Sequence, residues 1–415
     1  MTYDVAVIGG GPSGMMAAGR AGELGARVIL LEKNDRLGVK LLMTGKGRCN
    51  VTNSEAERRK LIDKFGRNGR FLFSSYFRFD NDAVVDFFEG LGVKTKIERG
   101  GRIFPESDLG SDVLAALIKY LKKSKVDIKT GVTVKEIIKK EQLIEKVVLS
   151  DGVAITANHF IIATGGKSYP GSGSSGDGYN FAKKLGHTIT PLMPALTPII
   201  LEESFISKLE GLTLKNVAVN VYHNNKKIEA RFGEALFTRN GLSGPIILDL
   251  SRSVGQALHK GEGKVILRLD FKPALDFQKL DLRIQNDFEK GQNKMFKNVL
   301  SDLLPQRLIP IIIAESKINP EKKVNSITKE ERRELLRLLK EFPLTATALL
   351  GFEKAIVTSG GVLLREIDPK TMRSKIVSNL SFTGEVLDLD GPTGGYNLQA
   401  CFSTGRCAGE NAIAY

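Results

Sequence analysis

The sequence predicts an α/β protein: a Rossmann-like domain with a parallel central sheet, split by an inserted domain. Three observations predict it. The apolar run YDVAVI (3–8) passes through glycines into GMMAAGRAGELG (14–25), a helix with small residues on one side, and ARVILL (26–31) follows as a second buried strand, completing a βαβ unit. At Pro191, Pro194 and Pro198 the texture changes, as at a domain crossing. After about residue 353 the chain returns to glycine-punctuated strands and a last helix.

The other elements follow in order. Residues 54–125 read as mixed and mostly helical, with DAVVDFFEGLG and SDVLAALIKYLKKS showing 3.6-residue periodicity and Gly stops. VDIKTGVTVKEII, KVVLS and HFIIATGG read as strands, and YNFAKKLG as a short helix after a glycine-serine loop. Residues 1–190 are thus expected to form the first part of the nucleotide domain. Residues 191–352 form the insert, 191–272 mainly β and 273–352 mainly helical. Residues 353–415 form the second part. Two alternating runs around Asn224-Asn225 signal a hairpin in the insert, and TKEERRELLRLLKEF is its clearest helix.

Composition excludes several classes. Three cysteines (Cys49, Cys401, Cys407) without CxxC spacing argue against a disulfide framework or a zinc ribbon. The first apolar run lacks a basic flank and ends in glycine, and no run approaches the ~18 apolar residues of a membrane span, so a cytoplasmic protein is expected. Net charge is +14, which fits nucleic acid. Yet residues 191–350 hold 25 Lys+Arg against 19 Asp+Glu and the remainder 36 against 28, so the charge reads as evenly spread and a nucleic-acid partner as disfavoured. Oligomeric state is not legible.

Gly9-Gly10-Gly11-Pro12-Ser13-Gly14 fits GxGxxG between a strand and a helix, with Glu32 closing the next strand. Gly9 permits the tight turn, Gly11 lets backbone approach a pyrophosphate, and Gly14 lets helix and strand pack closely. The helix N-terminus offers unpaired N–H groups to the phosphates, and the Glu32 carboxylate can accept from ribose hydroxyls while repelling a 2′-phosphate. TGKGRCNVTN (44–53) is a polar, glycine-rich loop whose Arg48, Asn50 and Thr52 can hydrogen-bond a nucleotide.

VIGGGPSGMMAA, TGKGRCNVTN and GEVLDLDGPTGGYNLQACFSTG together resemble the BaiN-like (YhiN-like) family of NAD(P)/FAD-dependent oxidoreductases, also described as aminoacetone-oxidase-family FAD-binding enzymes. GRIFPESDLGSDV and LFTRNGLSGP are similar to further family stretches, so the resemblance covers nearly the whole chain. It implies non-covalent FAD, a two-dinucleotide-binding-type FAD domain, and an insert with a β-barrel-like part and a helical part. It implies hydride transfer between a reduced donor, NAD(P)H, and an organic small molecule.

The cofactor set then comprises Gly9, Gly11, Pro12, Ser13, Gly14, Glu32, Lys33 and Lys40; Gly45, Arg48, Cys49, Asn50 and Thr52; Val134; Ala163, Thr164 and Gly165; Gly384, Glu385 and Asp388; and Gly394, Gly395, Tyr396 and Asn397. In such flavoproteins a helix beginning near Asn397 would aim its positive end at the pyrimidine edge of the flavin ring. The family pattern has a histidine where this chain has Arg239: a titratable base becomes a permanent cation if the position meets substrate, and the favoured reading is a surface or domain-contact exchange.

Cys49 reads as a packing residue of the flavin loop, and the four histidines as structural. No metal-ligand spacing and no GxSxG elbow are present. GSGSSG (171–176) also fits GxGxxG, but the prolines at 191–198 leave no room for a second βαβ unit, so it reads as a loop over the cofactor. No catalytic acid or base is assigned. The competing readings are an FAD-dependent RNA-modifying enzyme and a non-enzymatic flavin sensor.

Overall fold

In a computed structural model describing residues 2–413, the chain divides into two compact units, after Met193 and after Lys354.

The first unit is built on a seven-stranded sheet. Thr2–Ile8 runs parallel to Val28–Leu31 on one side and to Ala154–Ile162 on the other, with Val7 opposite Leu30 and Ile161. Asp127–Lys129 and Leu380–Phe382 add further parallel strands at the two flanks. An antiparallel hairpin, Val134–Lys140 with Leu143–Leu149, joins the N-terminal half of Ala154–Ile162. Apart from the edge strand Asp127–Lys129, the parallel strands are largely buried on both faces, which is why they read as apolar runs. Their C-terminal ends lie side by side, so Gly9, Glu32, Ala163 and Thr383 follow at one edge of the sheet, where open α/β sheets place their ligands. The helices Pro12–Glu23, Gly110–Lys123 and Tyr396–Asn411 bury their apolar faces in the same core.

Within the mixed 54–125 region, Arg102–Pro105 and Thr95–Glu98 form a small antiparallel sheet with Thr52–Asn53 just before it. One reading of this unit changes. Of 354–368, only Val357–Ser359 is strand; the Leu364–Glu366 stretch is a 3₁₀ turn.

The second unit is a closed six-stranded barrel with attached helices. Asn224 and Asn225 take positive φ (+50° and +61°), as a type I′ hairpin turn demands, between Thr213–His223 and Lys226–Thr238. Asn216 also has positive φ at a bulge, which shifts the inward phase so that Leu214, Val217, Val219 and Val221 are all buried.

Each part of the insert also carries one element of the other kind. The stretch read as β contains a 15-residue helix, Pro245–His259, whose Ile246, Ile247, Leu250, Val254 and Ala257 recur at helical spacing behind a proline at N1. The stretch read as helical ends in a strand, Phe342–Leu349, which pairs with Val265–Asp270 and Ile199–Leu201 to close the barrel. Its alternating Phe342, Leu344 and Ala346 face inward, but it needs partners more than 70 residues away, which no local pattern names.

Candidate functional site

The glycine turn does three different jobs. Gly9 has φ +110°, and a Cβ there would lie 2.5 Å from the Ala163 carbonyl oxygen. At Gly14 a Cβ would lie 1.9 Å from the Gly9 carbonyl oxygen, so any side chain would drive the helix off the strand. At Gly11 a Cβ would meet nothing within 4 Å: it would stand in the open cleft. The first residues of helix Pro12–Glu23, which have no preceding turn to bond, face that cleft with the positive end of the helix dipole.

Glu32 is buried and held. One carboxylate oxygen accepts from the Gly10 amide at 2.7 Å and the other from the Asn34 amide at 2.8 Å. A carboxylate has about four acceptor positions, so it can still take two hydroxyls. Gly9, Glu32 and Thr164 line two adjoining cavities, a smaller and a larger one, both open to solvent. Lys33 and Val134 line the smaller one; Gly11, Pro12, Ser13, Lys40, Ala163, Gly165 and Glu385 line the larger. Lys33 pairs with Asp177 at 2.6 Å. Lys40 donates to Ser168 Oγ and to Glu385, both at 2.7 Å, while the other Glu385 oxygen accepts from Ser168 Oγ and the Thr358 amide. The Thr164 hydroxyl is buried with no hydrogen-bond partner among the described residues.

The remaining predicted residues form a neighbouring knot. The 44–50 loop winds through left-handed backbone at Gly45, Lys46 and Cys49 (φ +57°, +59° and +61°). Cys49 is fully buried and its thiol is pushed up to about 12 by burial, which leaves it un-ionised and chemically quiet. Arg48 turns to Glu98 (2.8 Å) and Asp108 (3.3 Å) and lies over the Phe104 ring. Thr52 Oγ1 donates to Gln399 Oε1 at 2.5 Å, whereas Asn50 Oδ1 is buried without a partner among the described residues. Gly394 and Gly395 have φ +121° and +96°, and a Cβ on Gly395 would lie 2.2 Å from the Thr52 carbonyl oxygen. Helix Tyr396–Asn411 starts there, one residue before the expected Asn397. Asn397 spends its amide on the turn, accepting from the Gly391 amide and donating to the Gly391 carbonyl, and Asp388 offers its carbonyl to Asn68. Gly384 has φ +76° and packs between Ser13 and Cys401.

These features fit a dinucleotide: an acceptor at the ribose position, a helix N-terminus with no Cβ at its mouth, a lysine, and two buried polar atoms, on Thr164 and Asn50, that lack partners. Reasoning from sequence missed Asn34, Thr133, Ser174 and Cys401 in the cavity walls. The GSGSSG loop was the legible signal for Ser174; Cys401, whose thiol burial also pushes up to about 12, had none. His159 bonds Ser381, and His187 bonds Glu366 and Ser374, each within the core of the sheet unit. Arg239 is exposed at the turn after Lys226–Thr238. Among the described residues no cluster could hold a metal ion, and no helix is long and apolar enough to cross a membrane.

The model of the HI0933-like protein Rossmann domain matches residues 3–411. The chain belongs to this family. Among HI0933-like relatives, the 3-dehydro-bile acid delta(4,6)-reductase of Clostridium scindens is 32% identical, over 98% of each chain. The ribosomal RNA dihydrouridine synthase of Escherichia coli is 29% identical, over 99% of this chain and 98% of that one. The solved 3-ketosteroid delta1-dehydrogenase of Sterolibacterium denitrificans shares the fold at 13% identity and a TM-score of 0.55, over 100% of this chain and 99% of that one. The protein is an FAD-dependent oxidoreductase of the HI0933-like family.

Proposed function

We propose that this enzyme reduces a carbon–carbon double bond conjugated to a carbonyl, with NAD(P)H as donor. When bound, FAD supplies the two-electron chemistry. The chain binds and orients: the Gly11–Gly14 turn and Lys40 take the pyrophosphate, Glu32 the ribose, Thr164 and Asn50 further polar groups, and the Gly394–Asn397 turn the flavin ring end. The observation that carries this reading is the convergence of Gly9, Glu32, Thr164 and Lys40 on one cleft that GSGSSG also lines. With that second glycine run spent on the same cleft, a nicotinamide has no fold of its own and would react at the flavin directly.

The double bond is supported by the relatives' names. A 3-dehydro-delta(4,6) bile acid carries a dienone, and dihydrouridine is uridine saturated beside its C4 carbonyl. Reduction of such a bond would put hydride on the carbon β to the carbonyl (δ for the 6,7 bond of a dienone) and a proton on the neighbouring α (or γ) carbon, with NAD(P)H, oxidised to NAD(P)+, as the proposed hydride source. Anaerobic stopped-flow mixing tests this: the purified yellow protein should bleach with NADH or NADPH and recolour with an enone. A flavin that neither nicotinamide reduces, or that no enone reoxidises, would overturn it.

A further inference from the structure

Positive charge is locally concentrated within the first unit. Residues 58–78 hold seven Lys and Arg against the single Asp63, so six of the chain's net +14 charges (7 − 1) sit in this one segment. All seven cations are exposed. Arg58 pairs with Asp80 and Lys60 with Glu57, but Arg59, Lys64, Arg67 and Arg70 have no acidic partner among the described residues. In the same segment Phe65, Leu72 and Tyr76 are buried, whereas Phe73 and Phe77, four residues apart on the outer face, are 52% and 51% exposed. Their ring centroids are 4.5 Å apart at a 34° tilt, and the Arg58 guanidinium lies 5.0 Å over Phe77. Burying a phenylalanine is worth about 1.5–3 kcal/mol, so two left on the surface as a paired platform do little for folding.

The platform adjoins the proposed flavin-ring turn. Asn68 donates to the Asp388 carbonyl at 2.8 Å, Lys64 Nζ lies 6.0 Å from the Tyr396 ring, and the Phe65 ring packs on Gly391.

We propose that residues 58–78 bind RNA whose bases are unstacked, in a loop or single strand, and so bring a base toward the flavin. Flat aromatic rings under a guanidinium accept a splayed base, and unpaired cations around them match its phosphates. A duplex keeps its bases stacked and cannot use the rings. An anionic membrane fits less well, because the rings stack on each other rather than splaying outward from a long amphipathic helix. The inference rests on the enone-reductase reading for its chemistry, since the C5=C6 bond of uracil is conjugated to a carbonyl, but not for the binding.

The test uses the FAD-loaded full chain, with fluorescence anisotropy against a uridine-rich RNA hairpin, a duplex of the same composition, and phosphatidylglycerol vesicles. The hairpin should bind at least about tenfold tighter than the duplex. F73S/F77S should weaken hairpin binding about tenfold, leaving melting and reduction of a free enone unchanged. R59A/R67A/R70A should flatten the dependence of log K on log salt by about 2, at roughly 0.7 per phosphate contact. Equal binding of hairpin and duplex, tighter binding of the vesicles, or variants that bind the hairpin like the wild type would overturn the proposal. Enone reduction without hairpin binding removes the RNA face alone; hairpin binding lost in F73S/F77S, with no enone reduced, upholds the face and removes the reductase reading.

Discussion

Two glycine-rich stretches lie in the first 53 residues, and they work in different ways. GGGPSG (9–14) acts through what its residues lack: a Cβ at Gly9 or Gly14 would strike backbone, and at Gly11 it would obstruct only the cleft. TGKGRCNVTN (44–53) acts through what its side chains hold: Arg48 grips Glu98 and Asp108, and Thr52 grips Gln399, 347 residues away. The first stretch sets local geometry that any strand–turn–helix with this spacing would repeat. The second is a clasp between distant parts of the chain, and its meaning depends on partners that the stretch itself does not contain.

The largest effect should come from splitting the first stretch against itself. Gly14→Ala places a methyl 1.9 Å from the Gly9 carbonyl oxygen, a backbone clash that cannot relax by a rotamer change. A stability loss of about 1–3 kcal/mol or more is expected, visible as a lowered melting temperature, together with loss of bound flavin. Gly11→Ala meets no protein atom and φ there is −78°, so its melting temperature without flavin should stay near wild type while flavin affinity falls. Equal destabilisation by both would break the division of labour between them.

The floor of the same cradle gives a pH prediction. His159 lies on Ala154–Ile162, the strand that ends against Gly9, with Nε2 2.9 Å from Ser381 Oγ. Burial, and secondarily Arg373, lower its pKa from 6.5 to about 3. Above pH 6.5 the ring is neutral in both folded and unfolded chains and has no pH-dependent effect. Below it the unfolded chain takes up the proton and the folded chain does not, so stability falls as pH drops from 6.5 toward 3. By pH 5 the loss is about 2 kcal/mol. Denaturant midpoints measured from pH 8 to pH 5 should show this slope, and His159→Gln should flatten it. An unchanged slope in the variant would place the titrating group elsewhere.

This contrast also explains what was legible. The βαβ unit, its fingerprint and the ribose acceptor are contiguous and repeat a backbone requirement, so residue types at fixed spacing reveal them. The 245–259 helix was equally written in its apolar spacing, but the β texture around it dominated the reading. The strand Phe342–Leu349 and the clasp at Arg48 and Thr52 depend on partners supplied by tertiary folding. The basic face at 58–78 spans only one short segment, so a charge balance over 100 residues or more averages it away.

The smallest effect decides what the second stretch is for. From sequence, Arg48 was a flavin ligand; in the fold its guanidinium is spent on two carboxylates and the Phe104 ring. The side chain is one-third exposed, so solvent screens the ion pairs to at most about 1 kcal/mol, with the ring contact adding roughly 0.5–1 kcal/mol. Arg48→Met should therefore cost about 1 kcal/mol in a denaturant titration and leave flavin affinity, followed by fluorescence, within about twofold, because Met retains much of the packing on Phe104. Added salt should narrow the stability gap between variant and wild type, as it does for any exposed ion pair. A tenfold or larger loss of flavin affinity at unchanged stability would mean that Arg48 leaves Glu98 for the cofactor when it binds. The clasp would then be a ligand set that closes on its occupant, and the difference between the two stretches would shrink to one of timing.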